Sequence, residues 1–205
     1  MEAHLRAGVA IYNAGRYHAA HDAWEDHWLD LESGTEDERF LHGLIQFTAA
    51  VFHATNDNDS GATGLAESAV DYLSGLPADY RGVNVGDVRE FLADLARDPR
   101  LVEQRQPPRL THEGRAVEPA ALDFEATTVA AEVLAEEDGY DEEPFARAVE
   151  YARADLADDR SASPFVSLLF DFVREPDRRG VVARRLGEHV DRRRSREEDV
   201  DGLFE

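Results

Sequence analysis

His21, Glu25, Gln46 and His53 are residue types that do chemistry, and each stands in an otherwise apolar stretch near the start of the chain. His21 and Glu25 are four apart, so on a helix they share one face and can converge on one atom or on each other. His42, Gln46 and His53 fall at i, i+4 and i+11, again one helical face. Imidazole and carboxylate at this spacing hold Zn, Mn, Fe or Ni, although a strong helical motif offers paired ligands on several helices and here one clean His/Glu pair stands alone. The amide of Gln46, inside Leu44-Ile45-Gln46-Phe47, needs several partners when buried. Burial of such groups costs roughly 1–3 kcal/mol each unless something pairs with them, so their presence asks for a structural or functional reason.

Two readings follow. In the first, Asn13, Tyr17, His21, Trp24, Glu25, Gln46 and His53 line a ligand pocket between helices, and His21, Glu25 and His53 are candidate ligands of a divalent transition metal. In the second, His21 is a core histidine satisfied by Glu25 one turn away, and Trp24 and Trp28 are core residues before they are pocket walls. His4, His18 and His27 are expected on solvated faces.

The elements that must position these groups are helices. Helical periodicity dominates the first hundred residues, with breaks at Gly15, Ser33-Gly34, Asn56 to Ser60 and Gly75 to Gly86, which delimit five helices. In the second, Tyr17, His21, Trp24 and Trp28 form one stripe expected to face the core. The third, from about Thr35 to Thr55, is apolar around most of its circumference and is expected to sit centrally. Gly61 to Leu73 reads as a fourth helix and Asp87 to Arg97 as a fifth, with Asp87 as N-cap. If the second and third pack antiparallel through Ser33-Gly34, their polar lines can meet.

Between Pro107 and Pro119 the periodicity lapses, and Glu113-Gly114 suits a short hairpin. Helical patterns resume at Ala120 to Glu136, Glu142 to Leu156, Pro164 to Arg174 and Gly180 to Arg194. The expected fold is all-α: an irregular bundle of about five helices over 1–106, a linker or hairpin over 107–119, and a helical C-terminal extension over 120–205.

The signature also resembles a family. Tyr12, Asn13, Gly15 and Tyr17, then Ala20-His21-Asp22, Trp24-Glu25 and Trp28, and later Gly43-Leu44-Ile45-Gln46, His53, Asn58 and Gly61-Ala62 are similar to the pattern of the domain of unknown function 309 family. The likeness spans roughly Gly8 to Leu73 and implies an all-helical domain, with no established activity to carry over. Ala19, where the family often has Glu, and His42, where it often has Gln, depart from it. The missing carboxylate beside His21 weakens a two-carboxylate catalytic reading.

Composition narrows the rest. Over 205 residues the formal net charge is −22, there is no cysteine, and all 22 basic residues are arginine. Disulfides, thiolate metal sites and cysteine nucleophiles are excluded. Self-repulsion of this size opposes a compact fold in dilute buffer, but in molar salt the screening length falls to about 3 Å. The chain therefore reads as adapted to high salt. No apolar run approaches the roughly 18–20 residues that span a bilayer, and Met1 to Gly15 lacks the features of a signal peptide, so a cytoplasmic protein without membrane partners is expected.

No nucleophile with an adjacent base and no phosphate loop stands out, so the preferred reading is a ligand- or metal-binding module rather than an enzyme; a metal-dependent hydrolase is an alternative. Another is a protein–protein adaptor. From Arg178 to Arg196 eight arginines stand against Glu188 and Asp191, suited to an acidic partner or to the chain's own acidic surface, with nucleic acid disfavoured overall. At the C-terminus Val200, Leu203 and Phe204 have the spacing of a sliding-clamp-binding peptide, with Glu197 and Leu203 as departures, and suit a hydrophobic groove on a protein partner. Oligomeric state is left open.

Overall fold

The computed structural model describes residues 1–160 and 162–201. The chain is all-α, with one two-residue hairpin, and forms two compact units, Met1–Leu122 and Asp123–Glu205.

The first unit contains α1 (Glu2–Asn13), α2 (Tyr17–Leu29), α3 (Glu36–Thr55), α4 (Asp59–Leu73), α5 (Val85–Arg97) and the single turn α6 (Leu101–Gln104). Its core runs along α3, which packs on α2 at one side and α4 at the other and buries Phe40, Leu41, Leu44, Phe47 and Val51. Local chemistry sets the helix starts. Thr35 accepts from the Glu38 amide and caps α3, and Asn58 accepts from the Gly61 amide and caps α4, which moves that helix's start two residues ahead of Gly61. Asp87 is not the cap of α5. Asn84 holds that position, and its side chain instead binds Asp87, the Arg109 carbonyl and the Thr111 amide.

The expected stripe of α2 is rotated in the structure. Its buried residues are Ala19, Ala20, Ala23 and Trp24, whereas Tyr17, His21 and Trp28 are only half-buried. The physical reason is that three alanines make a flat face against which neighbouring helices approach closely, and one indole fills the remaining depth. Trp24 is fully buried and lies against Gly8 of α1, where a methyl group would sit 2.1 Å from the indole Nε1. Phe52, expected on the apolar circumference of α3, is 38% exposed, its ring 5.8 Å from that of His18.

The segment 107–119 carries the hairpin of β1 (Thr111–His112) and β2 (Arg115–Ala116), paired antiparallel about Glu113-Gly114. Both turn residues have positive φ, as a two-residue loop between twisted strands requires. This segment is tied into the first unit by the Asn13 amide, which donates to the Leu110 and Val117 carbonyls at 2.8 and 2.9 Å and accepts from the Leu110 amide at 2.9 Å. The Tyr12 hydroxyl donates to the Pro108 carbonyl at 3.0 Å.

The second unit packs α7 (Phe124–Glu137), α8 (Glu143–Ala157), α9 (Pro164–Arg174) and α10 (Arg179–Asp201). Phe145, Phe165, Leu169, Phe172 and Leu186 are buried at its centre. Two charge pairs are built into this core. Arg179 donates to Asp138 at 2.7 Å and to the Phe172 carbonyl at 3.1 Å. Arg193 donates to the buried Asp155 at 2.7 Å while its guanidinium lies 4.2 Å from the Tyr151 ring centroid and 5.7 Å from that of Phe165. Burial pushes the Asp155 carboxyl up, but the Ser163 hydroxyl and Arg193 outweigh it and hold the group below its ordinary value.

Candidate functional site

The convergent metal-ligating group of the first unit lies on α2. The ligand atoms of His21, Asp22 and Glu25 are all within 4.8 Å of one another. His21 Nε2 is 3.6 Å from Glu25 Oε1, an i, i+4 contact. Asp22 adds a second carboxylate from the adjacent position and also faces His18 Nδ1 at 3.5 Å. Donors on one tetrahedral ion at about 2.0–2.2 Å stand about 3.3–3.6 Å apart, so side-chain rotations of up to about 1.5 Å close the set.

The burial expected for this pair is absent. The His21 and Glu25 side chains are 30% and 44% exposed, because the alanine face of α2 takes the core and leaves them at the rim. His53 does not join the group among the described residues. His53 Nδ1 pairs with the Asn58 side-chain amide at 2.8 Å, at the turn where α3 passes into α4. Gln46 Nε2 lies 3.3 Å from His42 Nε2.

Gln46 and His42 belong to a different, more enclosed arrangement. Glu38 Oε1 accepts from the Trp28 indole at 3.0 Å, and Glu38 Oε2 accepts from the Gly34 amide at 3.2 Å. His42 Nδ1 stands 3.5 Å from Glu38, and its ring stacks on Tyr72 at 3.8 Å and meets Trp28 at 4.5 Å. Glu38 and His42 are only 14% and 18% exposed. Burial pushes the Glu38 carboxyl up, but the Trp28 indole, the Gly34 amide and His42 outweigh it and hold the group below the usual carboxylate range. This chain of contacts fastens α2 and the α2–α3 turn to α3 and α4, with the buried His42 Nδ1 near Glu38 but without a hydrogen-bond partner.

The remaining candidates take structural places. Asn13 holds the 107–119 segment as described, and the Trp24 indole donates to the Leu5 carbonyl at 3.4 Å. The Tyr17 ring packs 5.2 Å from that of Tyr12, and burial raises both phenols above their ordinary value. His18 is solvated, but His4 and His27 are half-buried and stack on each other at 5.2 Å. Burial first, then their mutual repulsion for His4 and the N-terminal amine for His27, holds both imidazoles below the ordinary histidine value. The stack explains why two histidines expected on open faces are drawn inward.

Asp22 and Glu38 are the residues that sequence reasoning passed over. Asp22 stood beside His21 in the signature, but neighbouring helical positions point about 100° apart and were not paired with it. Glu38 carried two signals, the Thr35-x-x-Glu38 capping pattern and the four-residue step to His42.

In the second unit the α10 arginines turn largely to the chain's own acids: Arg184 to Glu188, Arg193 to Asp155 and Glu197, and Arg194 to Glu143 and Asp191. Leu203, Phe204 and the side chain of Val200, the clamp-like tail, lie outside the described residues. Among the described residues no helix is long and apolar enough to cross a membrane.

Comparison with known proteins adds two findings. An "Uncharacterized protein" of Aquifex aeolicus (strain VF5) is 24% identical over 91 residues, 44% of this chain and 27% of that protein, so the chain spans about a quarter of the length of the curated relative it matches. The family described as Domain of unknown function (DUF309) matches residues 5–65, a stretch that holds α2 and α3 and with them His21, Asp22, Glu25, Glu38, His42, Gln46 and His53.

Proposed function

We propose that the first unit is a binding module for a divalent transition metal, with His21, Asp22 and Glu25 as its ligands. One observation carries the reading: an imidazole and two carboxylates from a single helix already lie within 4.8 Å of one another. Three ligands of this mixed N/O set suit Zn, Ni or Co, and their half-exposed position leaves the remaining coordination sites to water or to a donor from a small molecule. We infer also that the module works in concentrated salt, on the strength of the net charge of −22 and the absence of lysine.

The test is titration of the full chain with Co2+ in molar KCl, followed by visible absorption and by competition with Zn2+. One saturable site is expected, weakened about tenfold or more by His21→Ala and by Glu25→Gln, with far-UV circular dichroism unchanged because both side chains stand at the rim. Absence of saturable binding, or binding indifferent to both substitutions, overturns the proposal.

A further inference from the structure

The second unit holds an open cleft of about 1030 Å³ where the end of α8, the start of α9 and the outer half of α10 meet. Its walls carry Arg160, Arg192, Arg193 and Arg196 with His189, in a chain where acidic residues outnumber basic ones 44 to 22. The two carboxylates in the lining, Asp155 and Glu197, are engaged. Asp155 takes Arg193 at 2.7 Å and Arg160 at 3.4 Å, and Glu197 takes Arg193 at 3.1 Å and the Tyr151 hydroxyl at 2.8 Å. Arg192 and Arg196, by contrast, have no carboxylate partner among the described residues. They stand one helical turn apart on α10, so their guanidinium groups can approach one ligand together.

Two further features point the same way. Helix α9 begins in this cleft at Pro164, which has no N–H, and Ser163 takes the Val166 amide, so the helix contributes the positive end of its dipole rather than a row of free amides. Phe165 closes the floor of the cleft from the core side, 3% exposed, with His189 edge-on to it at 6.2 Å. Burial, then the neighbouring Arg192, holds His189 below the ordinary histidine value, so at neutral pH it offers one N–H donor and no charge.

We propose that this cleft binds a small organic phosphate by its phosphoryl group, with Arg192 and Arg196 as the principal ligands. A carboxylate is satisfied by one guanidinium fork, whereas two free forks and a helix N-terminus match the three terminal oxygens and double charge of a phosphoryl group. An extended polyanion such as nucleic acid is disfavoured, because the acidic surface beyond the cleft repels it. Concentrated salt removes the long-range repulsion of a small anion and leaves the short contacts in place.

Isothermal titration of the full chain with inorganic phosphate and with ribose 5-phosphate, at ionic strength held constant with KCl, tests the proposal. Saturable binding of both is expected, weakened about tenfold or more in Arg192→Gln/Arg196→Gln and unchanged in Arg115→Gln, on the hairpin of the first unit. Tighter binding of the sugar phosphate supports an organic ligand with contacts beyond its phosphoryl group, and equal affinity supports the phosphoryl site with free phosphate as its occupant. Absence of saturable binding of either anion, or equal binding by the double variant with an unchanged circular dichroism spectrum, overturns it.

Discussion

Replacing Asn13 by alanine isolates what holds the 107–119 segment in place. The substitution deletes three hydrogen bonds of 2.8–2.9 Å and leaves the Leu110 amide and the Leu110 and Val117 carbonyls without their partner. Leu110 and Val117 are buried, so water reaches these groups poorly, and each orphaned group costs about 1 kcal/mol, toward the low end of the range for unsatisfied buried polar atoms because Asn13 itself is half-buried. The expected loss is about 2–4 kcal/mol. The chain's two tryptophans, Trp24 and Trp28, both belong to the first unit, so urea unfolding followed by tryptophan fluorescence reads this unit alone. At an m-value of about 2 kcal/mol/M the midpoint falls by about 1–2 M. Asn13→Asp sharpens the test, because a carboxylate still accepts from the Leu110 amide but repels the two carbonyls, and it is expected to cost at least as much as alanine. A loss below about 0.5 kcal/mol for both variants would refute the assignment of Asn13 as the tie.

Three further expectations use the same unit-specific signal or its counterpart for the whole chain. Gly8→Ala places a methyl 2.1 Å from the Trp24 indole, which is wholly enclosed, so it should lower stability by about 1–3 kcal/mol or more and alter the near-UV tryptophan band; an unchanged melting temperature contradicts the packing described. Because the folded Glu38 carboxyl is held below its unfolded value, its contribution is fully present above the ordinary Glu range and is lost as pH falls through the folded value. Glu38→Gln should therefore flatten the acid limb of a fluorescence pH titration, and an identical acid limb in the variant counts against the Trp28–Glu38–His42 arrangement. Dialysis from molar KCl to low salt should cost much of the far-UV helix signal, and a spectrum and melting temperature indifferent to salt would remove the halophilic reading.

The helices were legible in the sequence because Gly, Pro and capping residues punctuate a strong 3.6-residue period. Pro164 and Arg174 bound α9 as expected, and Thr35 caps α3. Rotation of a helix about its own axis was less legible. In α2 the aromatic residues outweigh alanine in any hydrophobic pattern, yet close helix approach is decided by the small residues Ala19, Ala20 and Ala23, and this turned His21 and Glu25 from the interior to the rim. The meeting of His42 with Tyr72 depends on how α3 and α4 cross, and no local spacing encodes that. Gly43 does mark the crossing, since a methyl there would lie 2.5 Å from Leu73, but a lone helical glycine reads in sequence only as a weak spot.

The seat of Arg193 has a consequence for the chain's choice of cation. Its flat guanidinium rests on the face of Tyr151 and near that of Phe165 while it grips Asp155, so α8, α9 and α10 are joined through surfaces as well as charges. An ammonium group could reach the same carboxylate but has no plane to lay against an aromatic ring. Molar salt screens charges that stand farther apart than about 3 Å, so a joint made of stacked faces and a 2.7 Å hydrogen bond holds where longer-range attraction fades. An arginine at this joint thus lets the packing of three helices rest on shape as well as on charge.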